Sequence, residues 1–143
     1  QKEFLALLDQ QRVLDAIGAA EQETSGEIRV HIQPKAPGDI RAIAEKTFER
    51  LGMTKTALRT GVLLFIACEE QRFTILGDRG IDEKVSAGFW DEIAAKLTIR
   101  FKAGEFTEGI VEAIHSAGDA LRHDFPRAAG DVDELTNEIN VEP

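Results

Sequence analysis

The chain of 143 residues holds one cysteine, Cys68, no tyrosine, one tryptophan and four prolines. A single thiol excludes an internal disulfide framework and any CxxC zinc site. Three scattered histidines do not make a structural zinc centre instead. No apolar run approaches the roughly 18 residues of a membrane-crossing helix, and the longest, Val62 to Cys68, is of strand length. The N-terminus lacks the basic-then-apolar pattern of a signal peptide, so a cytoplasmic location is expected. Basic residues are scarce: 17 Lys and Arg stand against 26 Asp and Glu, a net charge of −9. Nucleic acid and anionic membrane are therefore poor partners, and cations, basic partners or simple solubility fit better. The 43% hydrophobic content is enough for a folded core. The length is that of one domain, read as residues 1–126, followed by an acidic tail at 127–143.

Phe4 to Glu23 has helical spacing through Phe4, Leu7 and Leu8, then Val13, Leu14 and Ile17; Gly26 supplies a left-handed helix end. Glu27 to Gln33 alternates strictly. This predicts a half-covered strand with Ile28, Val30 and Ile32 inward and Glu27, Arg29, His31 and Gln33 on the other face. Asp39 is a helix N-cap before Ile40, Ile43, Ala44, Thr47, Phe48 and Leu51, and Gly52 closes that helix. Val62 to Cys68 is apolar on both faces, the mark of a central strand. Arg72 to Gly77 follows after a short polar connector and must pair antiparallel. Helices over Ser86 to Lys102 and Phe106 to Asp124 complete the domain. The tail can dock through Val132, Leu135 and Ile139, and a fourth short strand is placed near Lys84-Val85 or in the tail. This order predicts an α/β protein, a three-layer α/β/α sandwich on a small mixed β-sheet.

Such a topology brings three loops to one end of the sheet. Hard divalent cations want several oxygen ligands, and Glu27, Asp78 and Asp82 can supply carboxylates, with Thr24, Ser25 or Thr60 beside them. Arg59 and Arg79 stand in the same loops. The plainer reading makes Ser25 and Thr60 ordinary turn residues and puts Gly80 at a bend of positive φ. At the other end, Glu69-Glu70 is a cation site or, more simply, a solvated turn. Several other signals fail. The segment from Asp131 has Leu135 and Thr136 where an EF-hand needs a ligand and a glycine. Gly77-Asp78-Arg79-Gly80 is followed by no Gly-Lys-Ser/Thr, so it is not a P-loop. Cys68 reads as a buried structural thiol. His31, His115 and His123 lack metal-ligand spacing and read as surface or packing residues, and Phe89 and Trp90 as core and rim packing.

Four stretches together resemble the TPM domain family. They are Glu21-Gln22-Glu23-Thr24-Ser25-Gly26-Glu27-Ile28-Arg29-Val30, then Arg59-Thr60-Gly61-Val62-Leu63-Leu64-Phe65-Ile66-Ala67, then Phe73 to Ile81, and Phe101 to Ile110. The resemblance spans roughly residues 10–125 and implies an α/β/α sandwich, divalent-cation binding with calcium ahead of magnesium and, for some members, phosphatase activity. It also implies a LemA-type or membrane-associated protein partner. Thr60 stands where the family usually has Asn, and Glu69-Glu70 replaces an Asp-containing connector. Three functions stay open. The first is a metal-dependent acid phosphatase acting on phosphomonoesters, its ion on Glu27, Asp78 and Asp82 and its charge stabilised by Arg59 or Arg79. No nucleophile stands out for it, so its catalytic residues are unassigned. The second is a calcium-binding, monomeric interaction or assembly module. The third is a structural domain capped by its own tail.

Overall fold

The computed structural model describes residues 2–127 and 139–142. In chain order it runs α1 (Lys2–Leu7), α2 (Gln10–Glu21), β1 (Glu27–Gln33), α3 (Ile40–Arg50), a 3-10 turn (Met53–Lys55) and β2 (Gly61–Ala67). Then follow β3 (Arg72–Gly77), α4 (Arg79–Asp82), α5 (Phe89–Lys102), α6 (Phe106–Asp124) and β4 (Ile139–Val141). The strand order is β3-β2-β1-β4. β1 pairs parallel with both β2 and β4, and β3 runs antiparallel to β2.

The period-two alternation of strand side chains builds two cores. Ile28, Val30 and Ile32 with Val62, Leu64 and Ile66 face α2, α5 and α6, where Val13, Ile17, Leu97, Ile110, Ile114 and Leu121 meet them. Leu63, Phe65 and Ala67 face the other way, onto Ala44 and Phe48 of α3 and Met53 of the 3-10 turn. The result is the expected three-layer sandwich. Asp39 caps α3 as expected, accepting from the backbone N–H of Arg41 at 3.0 Å and Ala42 at 3.3 Å. Among the described residues no helix is long and apolar enough to cross a membrane.

Several sequence expectations need correction. The first helical segment is two helices, because the Asp9 carboxylate accepts from the Arg12 N–H at 3.1 Å and starts α2 afresh. Gly26 is not a left-handed helix end; α2 stops at Glu21, and a Cβ at Gly26 would meet Leu121 Cδ2 at 2.6 Å. Helix α5 starts at Phe89 rather than Ser86, since Gly88 at φ 84 holds the chain out of the helix. The fourth strand is β4, and Lys84-Val85 is turn and bend. Ile139 does pack on the main core, while Val132 and Leu135 lie outside the described residues. Cys68 is half-buried rather than buried, since β2 ends one residue before it.

The largest correction concerns β1, which is buried on both faces. Glu27, Arg29 and His31 lie under the α3 layer, with exposures of 2%, 6% and 0%. His31 stacks on Phe65 with ring centroids 5.1 Å apart. Its Nε2 faces Gln33 Oε1 at 2.7 Å and its Nδ1 faces Asn140 Nδ2 at 2.6 Å. A neutral ring satisfies both, Nε2–H donating to Gln33 and Nδ1 accepting from Asn140. Burial pushes His31 below its usual 6.5, against the Gln33 hydrogen bond and the charge of Glu142. The folded chain therefore binds fewer protons here than the unfolded chain. Stability is complete above the unfolded value and is lost as pH falls from it through the lower folded value. We expect the melting temperature to fall as pH drops below about 6.5, and to fall less steeply in His31→Gln. Equal slopes for the two proteins would contradict this.

Candidate functional site at the loop end of the sheet

β1 and β2 start level with one another, Glu27 opposite Gly61, and β3 ends there with Gly77 opposite Val62. The loops at residues 24–27, 56–61 and 77–82 thus meet, as the element order predicts. Asp78 stands at the junction. Its N–H donates to Gly61 O at 2.8 Å, tying the end of β3 to the start of β2. Its carboxylate caps α4, Oδ1 accepting from the Arg79 N–H at 2.8 Å. The same carboxylate takes Arg59 in a two-point pair, Nε to Oδ2 at 2.6 Å and Nη2 to Oδ1 at 2.8 Å. That fork geometry is the strong form of an arginine–carboxylate contact. The Asp78 side chain is 6% exposed and that of Arg59 30%. The hydrogen bonds that Arg59 donates to Asp78 hold its guanidinium above its ordinary range.

The backbone is shaped to make this pair. Arg59 adopts φ 57, unusual for a residue with a side chain. Gly80 donates its N–H to Arg59 O at 2.8 Å, and a Cβ there would lie 2.0 Å from Leu58 O. Gly80 is needed for this close approach; its φ is not positive, contrary to the bend expected. The loop leaves Leu58 56% exposed beside it.

The other candidates have their own places. Glu27 is buried at the start of β1, its N–H directed to Thr60 O at 3.4 Å. Thr24 is buried, its hydroxyl donating to Phe125 O and accepting from the Gly26 N–H. Ser25 N–H also donates to Phe125 O, so both residues tie β1 to the end of α6. Thr60 is buried and donates its N–H to the Thr56 hydroxyl at 3.0 Å. Asp82 is exposed and accepts from Trp90 Nε1 at 2.9 Å. Arg79 is exposed. At the opposite end, Glu70 accepts from the Ala36 N–H at 2.8 Å and lies 3.6 Å from Arg72, which makes it a loop tie. There Cys68 borders a cavity of about 790 Å³ walled by Phe4, Phe73, Phe101 and Phe106.

Two residues of the loop end escaped the sequence reading of the site. Thr56 stands four before Thr60, a spacing at which a hydroxyl reaches a backbone N–H. Glu21, 2% exposed, accepts from the Ile28 N–H at 2.8 Å and holds β1 against α2.

Hard oxygens in these loops suit a divalent cation by type. Their side chains are already engaged, Asp78 accepting three hydrogen bonds and Asp82 one from Trp90, so a cation there would have to displace a partner. Among the described residues no three His, Cys, Asp or Glu side chains are placed to hold a metal ion.

An α/β/α sandwich whose three loops close on an arginine–aspartate pair defines a small domain with an ordered polar loop end. The family model described as "TPM domain" matches residues 1–120, and the chain belongs to that family. Among solved structures it is similar to the BA42 protein of Bizionia argentinensis, at 41% identity and TM-score 0.86, over 93% of this chain and 92% of that one. It shares its fold with the N-terminal domain of the cg2496 protein of Corynebacterium glutamicum, at 13% identity and TM-score 0.56, over 95% and 82% of the two chains. No curated protein gives a significant match.

Proposed function

We propose that the chain is a non-catalytic interaction module whose loop end responds to a divalent cation, calcium rather than magnesium, by exchanging Arg59 for the cation at Asp78. The observation that carries this reading is the two-point Arg59–Asp78 pair where all three loops meet. A cation needs the carboxylate that the guanidinium holds, so binding it must release Arg59. Released, Arg59 joins Arg79 and Leu58 on the loop surface and changes what that surface offers a protein partner. Calcium suits an irregular set of carboxylates, carbonyls and waters, whereas magnesium demands near-octahedral geometry.

The competition gives the test. Arg59→Gln removes the competitor and keeps the carboxylate. By calorimetry, calcium should bind Arg59→Gln about tenfold more tightly than the parent chain, since one charge-assisted contact no longer has to be broken. Equal affinities, or no binding to either protein at millimolar calcium, would overturn the reading.

A second reading is metal-dependent hydrolysis of phosphomonoesters. The Arg59 guanidinium held on Asp78 favours it, since guanidinium groups stabilise phosphoryl charge. Turnover of p-nitrophenyl phosphate that disappears in Asp78→Asn would establish it and displace the non-catalytic reading.

A further inference from the structure

The edge of β1 that faces away from β2 is occupied by the chain's own C-terminal strand, whose contacts spell out what the edge accepts. β4 pairs parallel at three positions, Val30↔Ile139, His31↔Asn140 and Ile32↔Val141. The Glu142 N–H extends the ladder to Ile32 O at 2.9 Å. Successive side chains then go to different places. Ile139 packs on the main core. Asn140 meets His31 Nδ1 at 2.6 Å. Val141 is 38% exposed. Glu142 pairs with Arg50 of α3. The edge therefore supplies a backbone ladder, an apolar seat, a buried ring nitrogen that needs an amide donor, and a guanidinium that takes a carboxylate.

We infer that this edge is a docking site for an extended segment of a partner protein, of the pattern aliphatic–Asn–aliphatic–acidic, and that Ile139 to Glu142 is its internal occupant. Strand addition draws affinity from main-chain hydrogen bonds and specificity from alternate side chains. His31 is the specificity element. It is wholly buried and fixed from behind by Gln33, so a segment without a donor at this position leaves Nδ1 unsatisfied. The internal strand is short, three residues, and is held by a covalent tether that makes its pairing intramolecular. A partner segment must outcompete that tether, so docking is weak in the intact chain and rises when the internal strand is weakened. The inference concerns the sheet edge and stands whether or not the loop end takes a cation.

The test uses the full chain and a fluorescent peptide carrying the sequence Ile-Asn-Val-Glu, followed by anisotropy. Asn140→Ala weakens the internal strand and leaves the acceptor edge intact. It should bind the peptide about tenfold more tightly than the parent chain, the worth of one buried hydrogen bond. A peptide with Ala in place of its Asn should lose that gain. Val141→Gly weakens the same strand at an exposed position, away from the core, and should give a rise of the same sign. Equal weak binding by the parent and both variants, with circular dichroism unchanged, would overturn the inference. Dimers formed by tail exchange in Asn140→Ala would overturn it too, since the edge would then take a second copy of this chain.

Discussion

Phe65→Ala is expected to cost about 3–5 kcal/mol of folding stability, the range for a large aromatic deleted from a packed site. Phe65 is wholly buried in β2, with strand neighbours on both sides and the α3 layer above it. Its neighbours leave little room for collapse: Ala44, Phe48 and Met53 are themselves buried, and His31 stacks on its ring. The cavity should therefore persist and add to the lost transfer energy. Denaturant titration of the two proteins measures this. A loss below about 1 kcal/mol would mean that the α3 layer packs loosely and that the second core contributes little.

Gly80→Ala should be comparably damaging for a different reason. The new Cβ would lie 2.0 Å from Leu58 O and 2.5 Å from Arg59 O. Both are backbone atoms, so no rotamer change relieves the contact. Either α4 or the loop before β2 must move, and the Gly80–Arg59 hydrogen bond goes with it. The expected loss is about 2–3 kcal/mol, the usual cost of overpacking a closed site. The damage should be local: amide signals of residues 56–61 and 77–82 should shift while those of α6 hold. A variant as stable as its parent, with the loop signals in place, would show that the loops do not depend on this close approach.

Much of the fold was legible because its signals are local. The alternation of Glu27–Gln33, the apolar run of Gly61–Ala67, Asp39 before a helical stripe and the short hairpin connector each act within a few residues. What escaped depends on distant residues. His31 looks like a surface residue until Asn140, 109 positions away, and the α3 layer cover it. The loop cluster was legible as a cluster, since parallel and antiparallel pairing dictate which ends meet. Its internal pairing was not. Asp78 and Asp82 look alike in sequence, yet one is nearly buried and holds Arg59 while the other is exposed and holds Trp90. That difference follows from the positive φ of Arg59 and the close approach of Gly80, which no spacing rule encodes.

The most direct measurement is an amide NMR titration of the chain with calcium, with magnesium in a parallel sample. The account predicts saturable shifts centred on Arg59, Thr60 and Asp78 to Asp82, stronger for calcium. It also predicts that the Arg59 Nε–H signal moves toward that of a solvent-exposed guanidinium as Asp78 is taken over. Shifts confined to other parts of the chain, or an Arg59 signal that stays in place at saturating calcium, would contradict the claim that the arginine–aspartate pair is the responsive element.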